Sequence, residues 1–407
     1  YRAGRKALPV AGRRCRGVRV IDLSEVRRSL REAEVDGWLL FDFHGLNPVA
    51  GRVLGLKGMN TRRLFVLLPR EGEPVAVAHK IELQGLEGFP GRVVPYARWS
   101  ELHAALTPLV AGRRLAMEIS PEDAVPYLDR VPYGVVELLR RLGATIVPSG
   151  SLVSRFAARW SAAEADDHRA AAEILASVAR ESLRWAVRES DTGLTESALQ
   201  ARVVTEVETR GLVFDTHPIV AFGPNSAMPH YEPHPGKDAT LRAGDVILLD
   251  LWAGRTRTTV FADQTWMGFA GARPPKRLAE VWRTVRGARD AAIAEVRGAA
   301  EKQRPIAGYE ADRAARGVIE AAGFGDAFVH RTGHSIDRDL HGSGPHLDDY
   351  ETHDDRLLVP GVGFSVEPGI YLAGEFGVRS EVNVFWSERG PEVTPREPQV
   401  ELIVAAG

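Results

Sequence analysis

The stretch HRTGHSIDRDLHGSGPH, residues 330–346, holds His330, His334, His341 and His346, four of the chain's 12 histidines. Histidines so spaced suit a metal site, an acid–base site or a solvated loop, and the stretch alone does not choose among them. The carboxylates narrow the choice. Asp250 closes the apolar run DVILLD, where an unpartnered charge is costly, although taken singly it reads as a strand-end cap. Asp263 lies in a second apolar run, VFADQTW, and the link AGRTRTT allows a hairpin with both acids in one place. Glu367 in FSVEPGIY and Glu381 in GVRSEVNVFW repeat the pattern around GIYLAGEFG. Pro368 and Gly369 predict a tight turn beside Glu367. Two hairpins then aim four acids inward with no lysine nearby, and Arg379 can pair with only one of them. Like charges in a low-dielectric site repel, and divalent cations resolve the conflict. With His334 added, the donor set suits Mn, Co, Fe or Zn better than Ca. It is too large for one tetrahedral zinc and fits two ions that share bridging carboxylates.

The elements that must position these residues follow from length and pattern. A chain of 407 residues implies two or three domains, and 44% hydrophobic with 26% charged residues is ordinary for a soluble globular protein. The net charge of −2 gives no push toward nucleic acid or an anionic membrane, and no apolar run is long enough to span one. Cys15 is the single cysteine, which excludes a disulfide framework and a cysteine-rich zinc site and fits a reducing, cytoplasmic setting. The basic residues 1–20 lack the apolar core of a secretory signal. They read as a trimming remnant, with a targeting segment or an upstream extension as alternatives, and are set aside from the fold.

From about Ile21 helical and extended patterns alternate. SEVRRSLREAEVDGWLLFD predicts a helix capped by Ser24 and a strand ending near Asp42. RLFVLLPREGEPVAVAHK predicts two strands about a turn, and RRLAMEIS and ATIVPSG two more. Residues 20–160 therefore read as an α/β domain with a mixed sheet, no phosphate loop and no convergent polar set, in a structural or lid role. The Ala/Glu/Arg-rich helix that follows marks a hand-over near residue 160. Residues 161–407 read as α+β, a curved antiparallel sheet backed by helices.

With those elements in place, LLDLWAG, FADQT, TGHSIDRDLHG, FSVEPGIYLAGEFGVRSEV and GPNSAMPHYEP resemble the ordered motifs of the pita-bread metallopeptidases. That superfamily includes Xaa-Pro dipeptidase (prolidase), aminopeptidase P, methionine aminopeptidase and creatinase. The motifs span about residues 217–386, and the N-terminal half resembles the creatinase-type domain that methionine aminopeptidases lack. The resemblance implies that Asp250 chelates one metal ion, that Asp263 and Glu381 bridge two, and that His334 and Glu367 complete the second. It implies a bridging water or hydroxide as nucleophile and Glu367 as general base. His230 matches a histidine that touches the substrate's peptide group, and His341 a second substrate contact. Arg379 matches an arginine that either positions the bridging carboxylate or binds a substrate carboxylate. His330, His346 and His353 read as structural or rim residues.

Two departures stand out. Ser335 and Asp337 occupy positions where many members carry glycine, and the interval from Asp250 to Asp263 is longer than usual. The implied activity is cleavage of Xaa-Pro dipeptides, with two divalent ions, Mn2+ ahead of Co2+, Zn2+ or Fe2+. The implied partners are a small Xaa-Pro peptide and a second copy of the chain in a homodimer. The nearest alternative is an aminopeptidase P-type enzyme acting on longer Xaa-Pro peptides. A non-catalytic pita-bread module binding peptide, histone or nucleic acid is the alternative of another class, and the intact ligand set argues against it.

Overall fold

The computed structural model describes residues 22–56 and 60–405. Cys15 and the basic segment lie outside the described residues. Among those described, no helix is long and apolar enough to cross a membrane. The chain divides into two compact units. One takes the described residues through Ile119 together with Arg130–Ser149, and the other takes Ser120–Asp129 and the described residues from Gly150 onward. The division therefore falls at residue 150, with a short excursion at 120–129, rather than near 160.

The N-terminal unit is built on six strands: β1 (Gly37–Asp42), β2 (Leu64–Pro69), β3 (Val75–His79), β4 (Arg92–Tyr96), β5 (Arg114–Met117) and β6 (Thr145–Pro148). Their order is β4-β3-β2-β1-β5-β6. The sheet is mixed, as expected: β1–β2 and β2–β3 are antiparallel, while β1–β5, β3–β4 and β5–β6 are parallel. The first helix, α1 (Leu23–Glu32), is capped by Asp22 and not by Ser24. The Asp22 carboxylate accepts from the backbone N–H of Ser24 at 2.9 Å and of Glu25 at 3.3 Å, which puts Ser24 inside the first turn.

A second correction concerns polar groups. Glu118, just beyond β5, is fully buried and collects three side-chain donors. Trp38 Nε1 donates at 2.6 Å, Asn47 Nδ2 at 2.8 Å and Ser149 Oγ at 3.0 Å. This half does carry a convergent polar set. Burial raises the Glu118 pKa against those donors, and the set reads as an internal tie between strand ends.

The second unit opens with two helices, α2 (Ala162–Arg188) and α3 (Glu196–Thr209). Ser161 and Glu164 form a reciprocal capping box at the start of α2. Strands β7 (Ile219–Phe222), β8 (Val246–Ala253) and β9 (Ala262–Phe269) follow, and β16 (Ile403–Val404) completes a sheet ordered β16-β9-β8-β7. Alternation along β8 and β9 assigns their faces. Ile247, Leu249 and Leu251 join Ala262 and Trp266 against α2 and α3. Val246, Leu248, Met267 and Phe269 pack on the other face with α4 (Lys276–Glu301) and α5 (Gly308–Ala321). Asp250, Trp252, Asp263 and Thr265 share that second face, farther along the strands.

The remaining strands are β10 (Ser335–Ile336), β11 (Gly363–Val366), β12 (Gly369–Leu372), β13 (Phe376–Arg379), β14 (Val382–Ser387) and β15 (Gly390–Thr394). Instead of one curved sheet they form β10-β11-β14-β15 and a separate β12-β13 hairpin. The breaks fall at Glu367–Pro368 and Ser380–Glu381. The expected tight turn at Pro368 is such a break, since proline offers no N–H to a ladder.

His168, on α2, is fully buried with both ring nitrogens engaged. Nδ1–H donates to the Phe261 carbonyl at 2.9 Å, and Nε2 accepts from Thr394 Oγ1 at 2.9 Å. Burial lowers its pKa from 6.5 to about 4 against the pull of the Phe261 carbonyl. The unfolded chain takes up a proton below its ordinary pKa that the folded chain refuses until about pH 4. Stability is therefore lost as pH falls through that window, by about 3 kcal/mol from this residue. In urea titrations from pH 7 to pH 4, His168→Gln is expected to lower stability at pH 7 yet flatten the acid slope.

Candidate metal centre

Register brings the four acids together. Asp250 lies opposite Thr265 and Trp252 opposite Asp263 in the β8–β9 ladder, so the two aspartates are diagonal neighbours on one face. Val366 pairs with Val382 in the β11–β14 ladder, so Glu367 and Glu381 leave that sheet side by side. Backbone and side-chain bonds join the two sheets. Asp263 N–H donates to Asn383 Oδ1 at 2.8 Å, and Thr265 Oγ1 donates to Glu381 Oε2 at 2.8 Å.

His334 reaches the same point from the segment before β10. A Cβ on Gly333 would lie 2.0 Å from the Ser365 carbonyl oxygen, so only glycine lets the strands approach this closely. Ser365 Oγ accepts from His334 N–H at 2.9 Å and donates to Glu367 Oε1 at 3.0 Å. From α5, Asp312 accepts from Thr332 N–H at 2.9 Å and pairs with Arg316, which donates to the His330 carbonyl at 2.8 Å. His334 Nδ1–H donates to the Ser335 carbonyl at 3.1 Å. That tautomer leaves the Nε2 lone pair facing Asp263 Oδ2 and Glu367 Oε1, each 3.4 Å away.

The electrostatics are those of a crowded anionic site. Asp250, Asp263, His334 and Glu381 are all at most 6% exposed. Burial, then repulsion from Asp263 and Glu367, pushes Asp250 up to about 7 despite the Arg379 guanidinium. Burial and Glu367 raise Asp263 well above the usual carboxylate range, and burial with Asp263 does the same for Glu381. Burial also works against Glu367, but His334, Arg379, His330 and Arg331 outweigh it and bring its pKa down to about 2. Burial lowers the pKa of His334 against the opposing pull of Glu367.

The residues present fit divalent cations. Asp250 Oδ1, Asp263 Oδ1 and Glu381 Oε1 are buried without a hydrogen-bond partner. Ligand atoms of Asp263, His334 and Glu381 lie within 4.8 Å of one another. Oxygen and imidazole donors without thiolate suit the transition ions expected above.

Arg379 is 3% exposed and fully engaged. Its Nε donates to Thr265 Oγ1 at 2.8 Å, Nη1 to the Tyr371 hydroxyl at 3.4 Å, and Nη2 to Asp250 Oδ2. Of its two expected roles, this geometry matches positioning a carboxylate. His230 and His341 are exposed residues that line the same cavity of about 790 Å³ as the four acids and His334. The His341 ring meets His334 edge-on with centroids 4.3 Å apart. His330 is tied to the site indirectly: its Nδ1–H donates to the Arg331 carbonyl, and its Nε2 lies 2.9 Å from the Tyr371 hydroxyl. His346 is buried and accepts from Ser335 N–H at 3.1 Å, whereas His353 pairs with Asp349. Sequence reasoning passed over Thr265, Ser365, Tyr371 and Asn383. Thr265 and Ser365 each stand two residues from an expected ligand, Asp263 and Glu367, on the same strand face, which was the available signal.

A mixed-sheet unit followed by an α+β unit with buried, paired acids and an imidazole at strand ends defines the pita-bread class of metal-dependent hydrolases. The chain belongs to metallopeptidase family M24, whose model matches residues 166–388. It is 28% identical over 358 residues to a probable dipeptidase PepE of Mycobacterium bovis, covering 86% of this chain and 88% of that protein. A Xaa-Pro dipeptidase of Lactobacillus helveticus is 31% identical over 193 residues, 47% of this chain and 48% of its own. In fold it resembles dipeptidase PepE from Mycobacterium ulcerans, with a TM-score of 0.70 at 23% identity over 94% of this chain and 97% of that one.

Thr265 holds both a carboxylate and the arginine beside it. Thr265→Val keeps the shape and removes both bonds, and is expected to weaken Mn2+ binding by about 10- to 100-fold. Calorimetric titration of the metal-depleted protein reads this directly, and an unchanged affinity would remove Thr265 from the site.

Proposed function

We propose that this chain hydrolyses Xaa-Pro dipeptides with two divalent ions, Mn2+ foremost. The observation that carries the reading is the set of three buried carboxylate oxygens without partners, on Asp250, Asp263 and Glu381, facing one cavity. Asp250, Asp263 and Glu381 would hold one ion, and Asp263, Glu381, His334 and Glu367 the other. When bound, the ions supply Lewis-acid polarisation of the scissile carbonyl and make a water nucleophilic near neutral pH.

The chain's own groups do the rest. Glu367 is ionised and oriented by Ser365 Oγ, so its carboxylate can take the proton of the attacking water and return it to the departing proline nitrogen. His230 and His341 offer ring N–H donors to the peptide carbonyl as negative charge develops on its oxygen. Arg379 keeps Asp250 in place by a direct ion pair and reaches Glu381 through the Thr265 hydroxyl. The N-terminal unit serves a structural role, and residues 161–407 are the catalytic domain.

A second reading is a dipeptidase with no requirement for proline. It is favoured by the 86% coverage of the match to the probable dipeptidase PepE, against 47% for the Xaa-Pro dipeptidase. One assay separates the two. Metal-stripped protein is reloaded with Mn2+, Co2+ or Zn2+ and given a Xaa-Pro dipeptide, a Xaa-Pro tripeptide and a dipeptide without proline. Metal-dependent cleavage of the Xaa-Pro dipeptide alone is the expected result. Release of one residue from the tripeptide would move the assignment to an aminopeptidase P-type enzyme, and equal cleavage of both dipeptides would remove the proline requirement. Glu367→Gln should lower kcat by about 100- to 10,000-fold.

A further inference from the structure

The connection between β8 and β9 contributes a side chain that the proposed chemistry leaves unused. Gly254, at its base, makes an isolated bridge with Val213: Val213 N–H donates to the Gly254 carbonyl at 2.8 Å and the reverse bond is 3.1 Å. Arg255 pairs with Asp167 of α2 at 3.2 Å. The tip is a turn closed from Thr259 N–H to the Thr256 carbonyl at 3.3 Å, with the Thr256 and Thr258 hydroxyls 3.3 Å apart. Arg257 sits in that turn, exposed, and lines the cavity that holds the metal-binding acids. Base and tip are thus fixed by bonds that do not involve the Arg257 guanidinium.

Charge around the cavity makes Arg257 distinctive. Among the described residues that line it, Arg257 and Arg379 are the only arginines or lysines, and Arg379 is buried against Asp250. The remaining rim charges are the carboxylates Glu208, Asp215 and Glu232. Asp215 is held in place by Trp252 Nε1 at 2.7 Å. Those acids suit a substrate's free ammonium and repel its carboxylate. A free C-terminal carboxylate entering this cavity therefore has one permanently cationic side chain to meet, and a guanidinium fork matches carboxylate geometry.

We propose that Arg257 binds the free C-terminal carboxylate of the substrate and thereby restricts the site to dipeptides. This rests on the peptidase reading above and adds the residue that sets substrate length. Arg257 is a specificity residue here, removed from the bond that breaks.

The test crosses the protein group with the substrate group it is meant to touch. Metal-loaded wild type and Arg257→Ala are compared on the dipeptide that wild type cleaves best and on the same dipeptide with its C-terminus amidated. Wild type should favour the free acid by about 10- to 100-fold in kcat/KM, the range for loss of a charge-assisted hydrogen bond. In Arg257→Ala that preference should collapse towards unity, with the loss falling on KM, and Arg257→Lys should restore part of it. A structural role would lower both substrates together and leave the ratio intact. An acid-over-amide preference that survives in Arg257→Ala overturns the proposal and passes the carboxylate to His217 or His230 at the same rim. Failure of metal-loaded wild type to cleave any peptide overturns the peptidase reading, and the inference falls with it.

Discussion

Four carboxylates gathered in one cavity, with one buried arginine beside them, set the terms for the second unit. At an effective dielectric of about 20, two like charges 4 Å apart cost about 4 kcal/mol. Asp250, Asp263, Glu367 and Glu381 share a cavity in which Arg379 is the only buried cation among the described lining residues, and Asp250 claims it. Three carboxylate oxygens are left with no donor. Nothing in such an arrangement favours folding by itself. It persists because the scaffold is held elsewhere and because divalent cations can meet the charge.

That scaffold is the alternation of two hairpins. On β8 and β9 the face that begins as core, with Val246, Leu248, Met267 and Phe269, ends at the candidate metal centre, with Asp250 and Asp263. Hydrophobic burial at one end of each strand therefore fixes the acids at the other. The second pair of acids lies where β11 and β14 give way to the β12–β13 hairpin, a break that Pro368 enforces. Threonine, asparagine and serine hydrogen bonds tie the two hairpins and the His334 segment into one unit. The result is a hydrogen-bonded donor set, with His230 and His341 exposed on the wall of the same cavity.

Much of this was legible from residue types and spacing. The acids interrupt apolar runs at hairpin distances, and a single imidazole in a glycine-flanked segment completes a recognisable donor set. The alternation of strands with helical patterns also foretold the mixed sheet of the N-terminal unit. What escaped notice depends on register. Thr265 matters only because it stands opposite Asp250 and beneath Glu381, and Tyr371 only because it sits diagonal to Arg379. Glu118 escaped because its partners, Trp38, Asn47 and Ser149, are scattered over more than a hundred residues and meet only after the sheet has formed. Asp22 displaced Ser24 as the helix cap by a choice between two good cappers that propensity does not rank.

The central proposal for this chain is that its buried acids hold two divalent ions. Metal content of the protein equilibrated with Mn2+ and freed of excess, measured per chain by mass spectrometry for wild type and Asp263→Asn, addresses it directly. Two ions per wild-type chain, with a loss of metal in Asp263→Asn, is the predicted result. A wild-type chain that retains no ion, or a variant that retains as many as wild type, would contradict it.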